Sequence, residues 1–153
     1  GIPIGSPPSA DVTKVRASLE SAVGSNSIIA IEVPPWGLGR IVIAAVDSSK
    51  AESGGRAIES IFDLAGSGAE LVIAVDADIE LGSYERVFFM LCSNMDVSRD
   101  MHSRDHRIGL DGTSKQFGHE RNGEPCRPWP PRIEMSREIK ERVESCKSSY
   151  GLD

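Results

Sequence analysis

The chain has 153 residues, a formal net charge of −6 and an isoelectric point near 5.1, and this length is enough for one domain with a hydrophobic core. Its 39% hydrophobic and 26% charged residues lie in the globular range, which excludes wholesale disorder. An acidic chain without a Lys/Arg stripe argues against nucleic-acid binding, and no apolar run reaches the roughly 18–20 residues that cross a bilayer. We therefore expect a cytoplasmic domain with no nucleic-acid or membrane partner.

The first residues predict an extended lead-in or linker over 1–8, followed by one folded domain over 9–153. Three prolines and two glycines occur within those eight residues. Ser9 then has the character of a helix N-cap, and Gly24 that of a stop. The apolar positions between them have helical spacing, which predicts one buried face formed by Val12, Val15, Leu19, Ala22 and Val23.

Two short β-branched runs follow, Ile28–Val33 and Arg40–Val46. The segment between them contains two prolines, one tryptophan and two glycines, which favours turns. They predict a hairpin-like pair of strands. Ser53 is predicted to cap a second helix that runs to about Ala65, with Ala57, Ile58, Ile61 and Phe62 on its inner side. The apolar run Leu71–Val75 then predicts a buried strand, so that strand, helix and strand form a parallel crossover.

Ser83 and Ser136 are predicted to open two further helices. The expected inward positions are Tyr84, Val87, Phe88 and Leu91 in the first, and Ile139, Val143 and Cys146 in the second. The polar segment Ser93–Met135 between them predicts long, function-related loops. The resulting order indicates an α/β fold, a mixed sheet with flanking helices in two or three layers.

The strand that ends at Val75 delivers Asp76, Asp78 and Glu80 at its carboxyl end, where open α/β sheets usually place ligands. Two aspartates at this spacing are compatible with a Mg-dependent haloacid-dehalogenase-type phosphatase. Glu80 departs from that pattern, and the strand comes in the middle of the chain, which leaves little room for the remaining lysine and acidic motifs of such enzymes. The alternative is that these acids cap the next helix or face solvent.

Other constellations carry weaker chemical signals. His102 and His106, with His119 and Cys126 downstream, make a poor metal-binding pattern, because the residues between the first two histidines do not predict a helix. Cys92, Cys126 and Cys146 are odd in number and lack a CxxC spacing, which favours free thiols. We therefore expect no metal site in this chain. Trp36 is interpreted as a hydrophobic plug or a contact point.

Several segments, in this order, resemble the C-terminal domain of the UbiD family, the 3-octaprenyl-4-hydroxybenzoate carboxy-lyase-like, prenylated-FMN-dependent decarboxylases. The turn Pro34–Arg40 is similar to a Pro/Gly-rich hairpin of that domain, and Leu71–Glu80 to its strand ending in acidic residues. Val87–Asp100 resembles a helix followed by a "TRxxPxRD"-like turn, with Ser-Asn in place of Thr-Arg. The most specific match is Arg107–Lys115, RIGLDGTSK, which is similar to Lys-Met-Gly-(Ile/Leu)-Asp-Ala-Thr-x-Lys. The tail Arg127–Pro130 also resembles the family's ending.

This resemblance implies reversible decarboxylation of aromatic or α,β-unsaturated carboxylic acids, with prenylated FMN as the electron sink. In the family, the catalytic residues and most contacts to the flavin and its metal ion belong to the preceding domain. The resemblance therefore implies a larger partner chain that holds prenylated FMN with a metal ion. It implies no catalytic residue in this chain and no cofactor bound by this chain alone. The C-terminal domain supplies oligomer contacts and one wall of the active-site cleft, from the segment that is Ser103–Arg107 here.

Within that segment Arg104, His106 and Arg107 are the candidate residues of the substrate-cleft wall, since they attract a carboxylate or phosphate. Three hypotheses follow. The first is a small subunit or separated C-terminal domain of a UbiD-type decarboxylase, inactive alone, that works in a hetero- or homo-oligomer. The second is a non-catalytic interaction or regulatory module with the same fold. The third is the phosphatase that would use Asp76 and Asp78.

Overall fold

A computed structural model describes residues 12–64, 68–115, 119–121, 124–125, 133 and 135–151. The helices are α1 Val12–Leu19, α2 Ser53–Asp63, α3 Tyr84–Asn94, α4 Val97–Asp100 and α5 Arg137–Ser145. The strands are β1 Ile28–Glu32, β2 Ile41–Val46, β3 Leu71–Asp76, β4 Met101–Arg104, β5 Arg107–Asp111, β6 Glu120–Arg121 and β7 Glu124–Pro125. The predicted lead-in, the Ser9 cap, Cys126 and the tail motif 127–130 lie outside the described residues.

Five strands form one mixed sheet in the order β1-β2-β3-β5-β4. β1 pairs antiparallel with β2, β2 with β3 and β3 with β5 are parallel, and β4 pairs antiparallel with β5. The predicted hairpin-like pair, the parallel crossover through α2 and the mixed sheet with flanking helices are thus confirmed. β6 and β7 form a separate two-stranded ladder.

The sheet is covered on both faces, which explains the uninterrupted apolar runs of β2 and β3. On one face α1 and α2 pack against Val42, Ala44 and Val46, and on the other face α3 packs against Ile43 and Ile73. The four apolar residues predicted for the inner side of α2 are all buried: Ala57, Ile58, Ile61 and Phe62. In α1 the buried positions are Val15 and Leu19. Of the alternatives Ala22 and Val23 for the next inward position, Ala22 is buried and Val23 is 44% exposed.

Gly109 lets β5 approach α2 closely. A Cβ atom at this position would collide with the side chain of Ile58. Gly112, which follows β5, would likewise bring a Cβ atom to within 2.8 Å of the Leu91 backbone in α3. The two glycines of the RIGLDGTSK segment therefore let the chain pack between helices on opposite faces of the sheet.

The prediction of long loops over Ser93–Met135 is wrong for the part of that segment that the structure describes. α4, the β4–β5 hairpin and the β6–β7 ladder all lie within it. The sequence of β4, Met-His-Ser-Arg, is polar because β4 is an edge strand whose residues are only partly buried or exposed. Apolar periodicity, the main signal of a strand, is therefore missing there.

The predicted helix starts are confirmed to different degrees. Ser136 is the N-cap of α5 and its hydroxyl accepts a hydrogen bond from the Ile139 backbone N–H, and Ser83 occupies the N-cap position of α3 without such a bond. The prediction for Ser53 is wrong: it is the first helical residue, and Glu52, in left-handed backbone conformation, precedes it. α2 also ends at Asp63, two residues earlier than predicted.

Two predictions of buried positions are also wrong. Phe88 of α3 is substantially exposed, although its neighbours Val87 and Leu91 are buried. In α5 the apolar residues Ile139 and Val143 are about half exposed, since the described part of the chain places no element over them. Among the described cysteines, Cys92 and Cys146 are free thiols. No helix in the described ranges combines the length and apolarity that a bilayer span requires.

Candidate functional site

Beyond β5, the RIGLDGTSK segment brings the side chains of Asp111, Thr113 and Lys115 together. Asp111 ends β5, and one of its carboxylate oxygens, Oδ1, accepts hydrogen bonds from the backbone N–H of Thr113 at 3.0 Å and from its hydroxyl at 2.5 Å. The Gly112 N–H donates to the Ala74 carbonyl of β3 at 2.8 Å. These bonds hold the end of β5 against the centre of the sheet.

Lys115 lies among these groups and is almost fully buried, with 6% of its side chain exposed. Its Nζ donates to the Thr113 carbonyl at 2.8 Å and lies 3.2 Å from Asp111 Oδ1 and 3.8 Å from Asp100 Oδ1. Asp100 and Asp111 are buried as well. One ammonium group therefore stands between two carboxylates in a region from which water is largely excluded.

Arg99 completes this group. Its Nε donates to Asp100 Oδ1 at 2.9 Å and its terminal nitrogen to Oδ2 at 2.6 Å, and the Asp96 N–H also donates to Oδ2. We call Arg99, Asp100, Asp111 and Lys115 the buried ion cluster. Two positive and two negative side chains balance formally, which is what buried charges require.

The pKa of Asp100 lies below its ordinary value of 3.8. Burial by itself raises the pKa of this carboxyl, but the hydrogen bonds from Arg99 and from the Asp96 backbone, together with the positive charges of Lys115 and Arg99, outweigh burial and lower it. A group with a depressed folded-state pKa stabilises the protein above its unfolded-state pKa, and this stabilisation disappears as the pH falls through the folded-state value.

Asp100→Asn is expected to lower the free energy of unfolding at pH 7 by about 2 kcal/mol, because a charge-assisted hydrogen-bond acceptor is lost. The difference between the two proteins should be largest near neutral pH and should narrow below pH 3.8. Urea unfolding at a series of pH values measures it, with Asp78→Asn, at an exposed position, as the control that changes stability little. A difference that stays constant down to acid pH would contradict the assigned role of the Asp100 charge.

The buried ion cluster also contacts the beginning of α2. A Cβ atom added at Gly54 would collide with the Asp111 carboxylate, and one added at Gly55 would lie 2.8 Å from the His102 ring. The first N–H groups of a helix have no intrahelical acceptor and carry partial positive charge. The Asp111 carboxylate is therefore well placed electrostatically as well as sterically against this helix start.

A cavity of about 490 Å³ opens beside the cluster, between α2, β4 and the segment after β5. Most of the residues that line it are polar or charged, and they carry both signs of charge. The lining residues are Asn26, Lys50, Glu52, Ser53, Gly55, Arg56, Glu59, Ser60, Asp63, His102, Asp111, Thr113, Ser114, Lys115, His119 and Glu120. Its size is that of a small-molecule site.

Along the rim of this cavity, β4 is joined to α2 by ionic contacts. His102 Nδ1 lies 3.3 Å from Glu59 Oε1. Arg104 binds Glu59 Oε2 at 3.2 Å and donates to Asp63 Oδ1 at 2.8 Å. β4, an edge strand, is thereby tied sideways to the helix that packs on the same face of the sheet.

The three predicted cleft-wall residues lie at the tip of the β4–β5 hairpin. The guanidinium groups of Arg104 and Arg107 stand over the Phe62 ring at 5.1 and 5.0 Å from its centroid, which is cation–π geometry. Arg107 also donates to the Phe62 carbonyl at 2.6 Å and to Asp105 at 3.3 Å. His106 is exposed in the two-residue turn, so the structure brings the two arginines together and leaves the histidine apart.

This tip lies at the amino ends of the parallel strands β3 and β5, whereas Asp76 lies at the carboxyl end of β3. β5 is parallel to β3, with Ile108 paired to Leu71 and Asp111 to Ala74. The distance along β5 from the turn to the ion cluster is about 13 Å at the usual rise of a strand. The predicted cleft wall and the carboxyl ends of the strands are therefore separate places in the fold.

Asp76 and Asp78 have different surroundings. Both carboxylate oxygens of Asp76 accept hydrogen bonds from Ser114, Oδ1 from its backbone N–H at 2.9 Å and Oδ2 from its hydroxyl at 2.5 Å, whereas Asp78 is exposed. Capping of the next helix, expected for these acids, is wrong for Asp76, because Ser83 occupies that N-cap. Asp76 instead joins β3 to the segment that follows β5.

No group of three or more His, Cys, Asp and Glu side chains within the described ranges has a geometry that would hold a metal ion. His102 lies on β4 and His106 in the turn after it, so the two do not share a helix face. Cys126, the fourth member of the weak metal pattern, lies outside those ranges.

Sequence reasoning missed the buried ion cluster and the cavity as a site. The signal was present in Asp111, Thr113 and Lys115, which alternate along the chain as residues on one side of an extended segment do. Asn94, noted as a departure from the family pattern, is also buried and donates to the Gly112 carbonyl at 2.9 Å.

The sheet order, the covering helices and the hairpin define a fold shared with UbiD-class enzymes. Vanillic acid decarboxylase of Sedimentibacter hydroxybenzoicus, in open form with a truncated VdcD, superposes with a TM-score of 0.63 at 13% identity, over 92% of this chain and 32% of that chain. An evolved dimeric form of HmfF from Pelotomaculum thermopropionicum, in complex with prFMN, gives 0.58 at 18% identity, over 84% and 26%. The 3,4-dihydroxybenzoic acid decarboxylase of Enterobacter cloacae superposes with a TM-score of 0.54 at 13% identity, over 86% of this chain and 31% of that chain.

The family model of the 3-octaprenyl-4-hydroxybenzoate carboxy-lyase C-terminal domain matches residues 12–123. The chain belongs to this family, UbiD_C, and the resemblance stated from the sequence motifs is confirmed. No curated protein sequence matches the chain. The chain spans about a quarter to a third of the length of the enzymes with which it superposes.

Proposed function

We propose that this chain acts as the C-terminal domain or small subunit of a UbiD-type reversible decarboxylase of aromatic or α,β-unsaturated carboxylic acids. In this role it completes the active-site cleft and the assembly of a larger catalytic chain, which holds prenylated FMN with a metal ion. The main support is coverage: most of this chain superposes on about a third of each UbiD-class chain or less.

The hairpin tip supports the cleft-wall part of the proposal. Arg104 and Arg107 present two permanent positive charges on one aromatic ring, and His106 extends beyond them into solvent. Guanidinium groups suit carboxylate recognition because their N–H donors match the two carboxylate oxygens. Phe62 and the acidic side chains of α2 hold the arginines in place, so the charges are positioned before any ligand arrives.

Exposed aromatic residues support the assembly part. Trp36 packs edge-on against Tyr84 with ring centroids 5.4 Å apart, and half of its surface remains exposed. Phe88 lies one turn after Tyr84 on the same side of α3, and the adjacent Phe89 is 68% exposed. Exposed aromatics in a cluster are typical of contact surfaces between proteins, which agrees with the sequence interpretation of Trp36 as a contact point.

The proposal is tested by mixing this chain with a larger chain that carries the UbiD-type flavin-binding domain. The complex is expected to co-purify, to retain prenylated FMN, and to exchange CO₂ with its carboxylic acid substrate at least about tenfold faster than the larger chain alone, since a complete cleft orients the substrate. Size-exclusion chromatography, flavin absorbance and isotope exchange measure the three quantities. No gain in flavin retention or CO₂ exchange would contradict the proposal.

Variants of the hairpin tip separate assembly from cleft function. Arg104→Gln with His106→Gln should leave co-purification intact and lower the exchange rate, whereas Arg137→Gln, at an exposed position of α5, should change neither. Co-purification with some other partner in the absence of any exchange would instead favour the interaction or regulatory module. Mg²⁺-dependent phosphate release that disappears in Asp76→Asn would favour the phosphatase.

A further inference from the structure

We propose that Lys115 is a positioning residue that fixes β4 beside β5 and so the place of Arg104 at the tip of the β4–β5 hairpin. Its functional consequence rests on the proposed role of that tip as a cleft wall. The mechanical part concerns the chain by itself and is testable without a partner.

The geometry at the base of the hairpin carries the inference. Asp100 immediately precedes β4 and Asp111 is the last residue of β5, and the first pair of the ladder between them is Met101 with Leu110. The two carboxylates thus lie at the base of the hairpin, one beside the start of β4 and one at the end of β5. Lys115 Nζ lies 3.8 Å from the first and 3.2 Å from the second.

Because the side chains that form this bridge are buried, breaking it is expected to destabilise the protein more than breaking a surface ion pair. The side-chain exposures of Asp100, Asp111 and Lys115 are 0, 4 and 6%, so solvent does not screen the charges as it does at the surface. Removing one partner of such a group leaves a buried charge uncompensated, which is far more costly than losing a surface ion pair. Thr113 adds a second constraint, because its hydroxyl donates to Asp111 and lies 3.3 Å from Lys115 Nζ.

β4 depends on the base of the hairpin because its own packing is light, whereas β5 is also held by its pairing with β3. β4 is a four-residue edge strand with no fully buried residue, and α2 holds it through the partly exposed Glu59 and Asp63. At about 3.3 Å per residue Arg104 lies about 13 Å from Asp100 along β4, so a rotation of β4 by about 10° at its start moves Arg104 by about 2 Å. Displacements of that size are enough to disrupt the orientation of a bound substrate.

Hydrogen exchange of the full chain tests the inference. In Lys115→Met, amides of the peptide that covers 101–107 are expected to lose about a hundredfold in protection, while those of β2 and β3 lose less than about threefold. Lys147→Met, which removes an exposed lysine paired with Glu144, is the matched control and should change neither region. Uniform loss of protection over the whole chain, or no loss in β4, would overturn the inference.

A milder change covers the case in which Lys115→Met does not fold. Thr113→Val removes only the hydroxyl and should reduce protection in the 101–107 peptide by about tenfold, again with β2 and β3 nearly unchanged. Adding Asp111→Asn to Lys115→Met removes the uncompensated carboxylate and should restore part of the protection that the single change removes. Additive losses from the two changes would contradict the bridging role of Lys115.

The reconstituted decarboxylase gives the functional result. Thr113→Val should raise KM for the carboxylic acid more than it lowers kcat, since the wall is displaced while the catalytic groups of the larger chain are untouched. Absence of exchange in the wild-type mixture would count against the proposed function alone. Local loss of protection in the isolated chain would still support Lys115 as the residue that fixes the hairpin.

Discussion

Phe62→Ala is expected to lower the free energy of unfolding by about 3–5 kcal/mol, as is usual when a buried phenylalanine is truncated. Phe62 is 1% exposed and lies in the core between α2 and the sheet. The change creates a cavity and also removes the aromatic face that supports the guanidinium groups of Arg104 and Arg107. Chemical denaturation measures the loss of stability, and hydrogen exchange of the 101–107 peptide measures the loosening of the hairpin tip.

Phe89→Ala is the matched control, because it removes the same side chain from a position that is 68% exposed. Its effect on stability should stay within about 0.5 kcal/mol. If the two variants were equally stable, the packing assigned to Phe62 would be wrong. A large loss of stability with an unchanged hairpin tip would instead contradict its role as support for the two arginines.

Gly54→Val is expected to lower the free energy of unfolding by about 3 kcal/mol, although valine has a slightly better intrinsic helix propensity than glycine. The new side chain would occupy the place of the Asp111 carboxylate. Displacing that carboxylate separates it from Lys115 and from the N-terminal end of α2, so a steric cost and an electrostatic cost add. The thermal midpoint and the urea midpoint measure the change.

Gly82→Val provides the comparison, since no atom lies within 4 Å of a Cβ at that exposed position and its φ is not in the left-handed region. This variant should leave the free energy of unfolding nearly unchanged. Equal effects at the two positions would show that the loss at Gly54 reflects backbone preference and not the contact with Asp111. If Gly54→Val left the free energy of unfolding unchanged, the close approach of Gly54 to the Asp111 carboxylate would be refuted.

The prediction from sequence was most successful where burial is complete. The continuous apolar runs of β2 and β3 and the inner positions Ala57, Ile58, Ile61 and Phe62 of α2 follow directly from patterns that only a buried environment explains. It failed for β4 and β5, where an edge strand and a glycine-containing strand carry polar residues in no clear alternation. It also failed for Phe88, Ile139 and Val143, since an apolar side chain is compatible with exposure as well as burial.

The candidate site divides in the same way. The motif Arg107–Lys115 was the strongest family signal in the sequence. The sequence nevertheless predicted substrate contacts only for residues before its Gly-x-Asp portion, and none for Asp111, Thr113 or Lys115. Spacing along the chain indicates that Asp111, Thr113 and Lys115 turn to one side. It does not indicate that Asp100 meets them, because the β4–β5 hairpin separates Asp100 from Thr113 and Lys115 in sequence.

By itself, the sequence determined the α/β class, the parallel crossover through α2 and membership of the UbiD_C family, because these depend on local periodicity and on motifs read in order. Only the tertiary structure decided that β5 lies between β3 and β4, that the two arginines share Phe62, and that one buried lysine joins two carboxylates. The physical reason is that burial and charge compensation are properties of the assembled fold. A lysine four residues after an aspartate in sequence looks solvated, and the energetic effect of its charge becomes evident only when water is excluded around it.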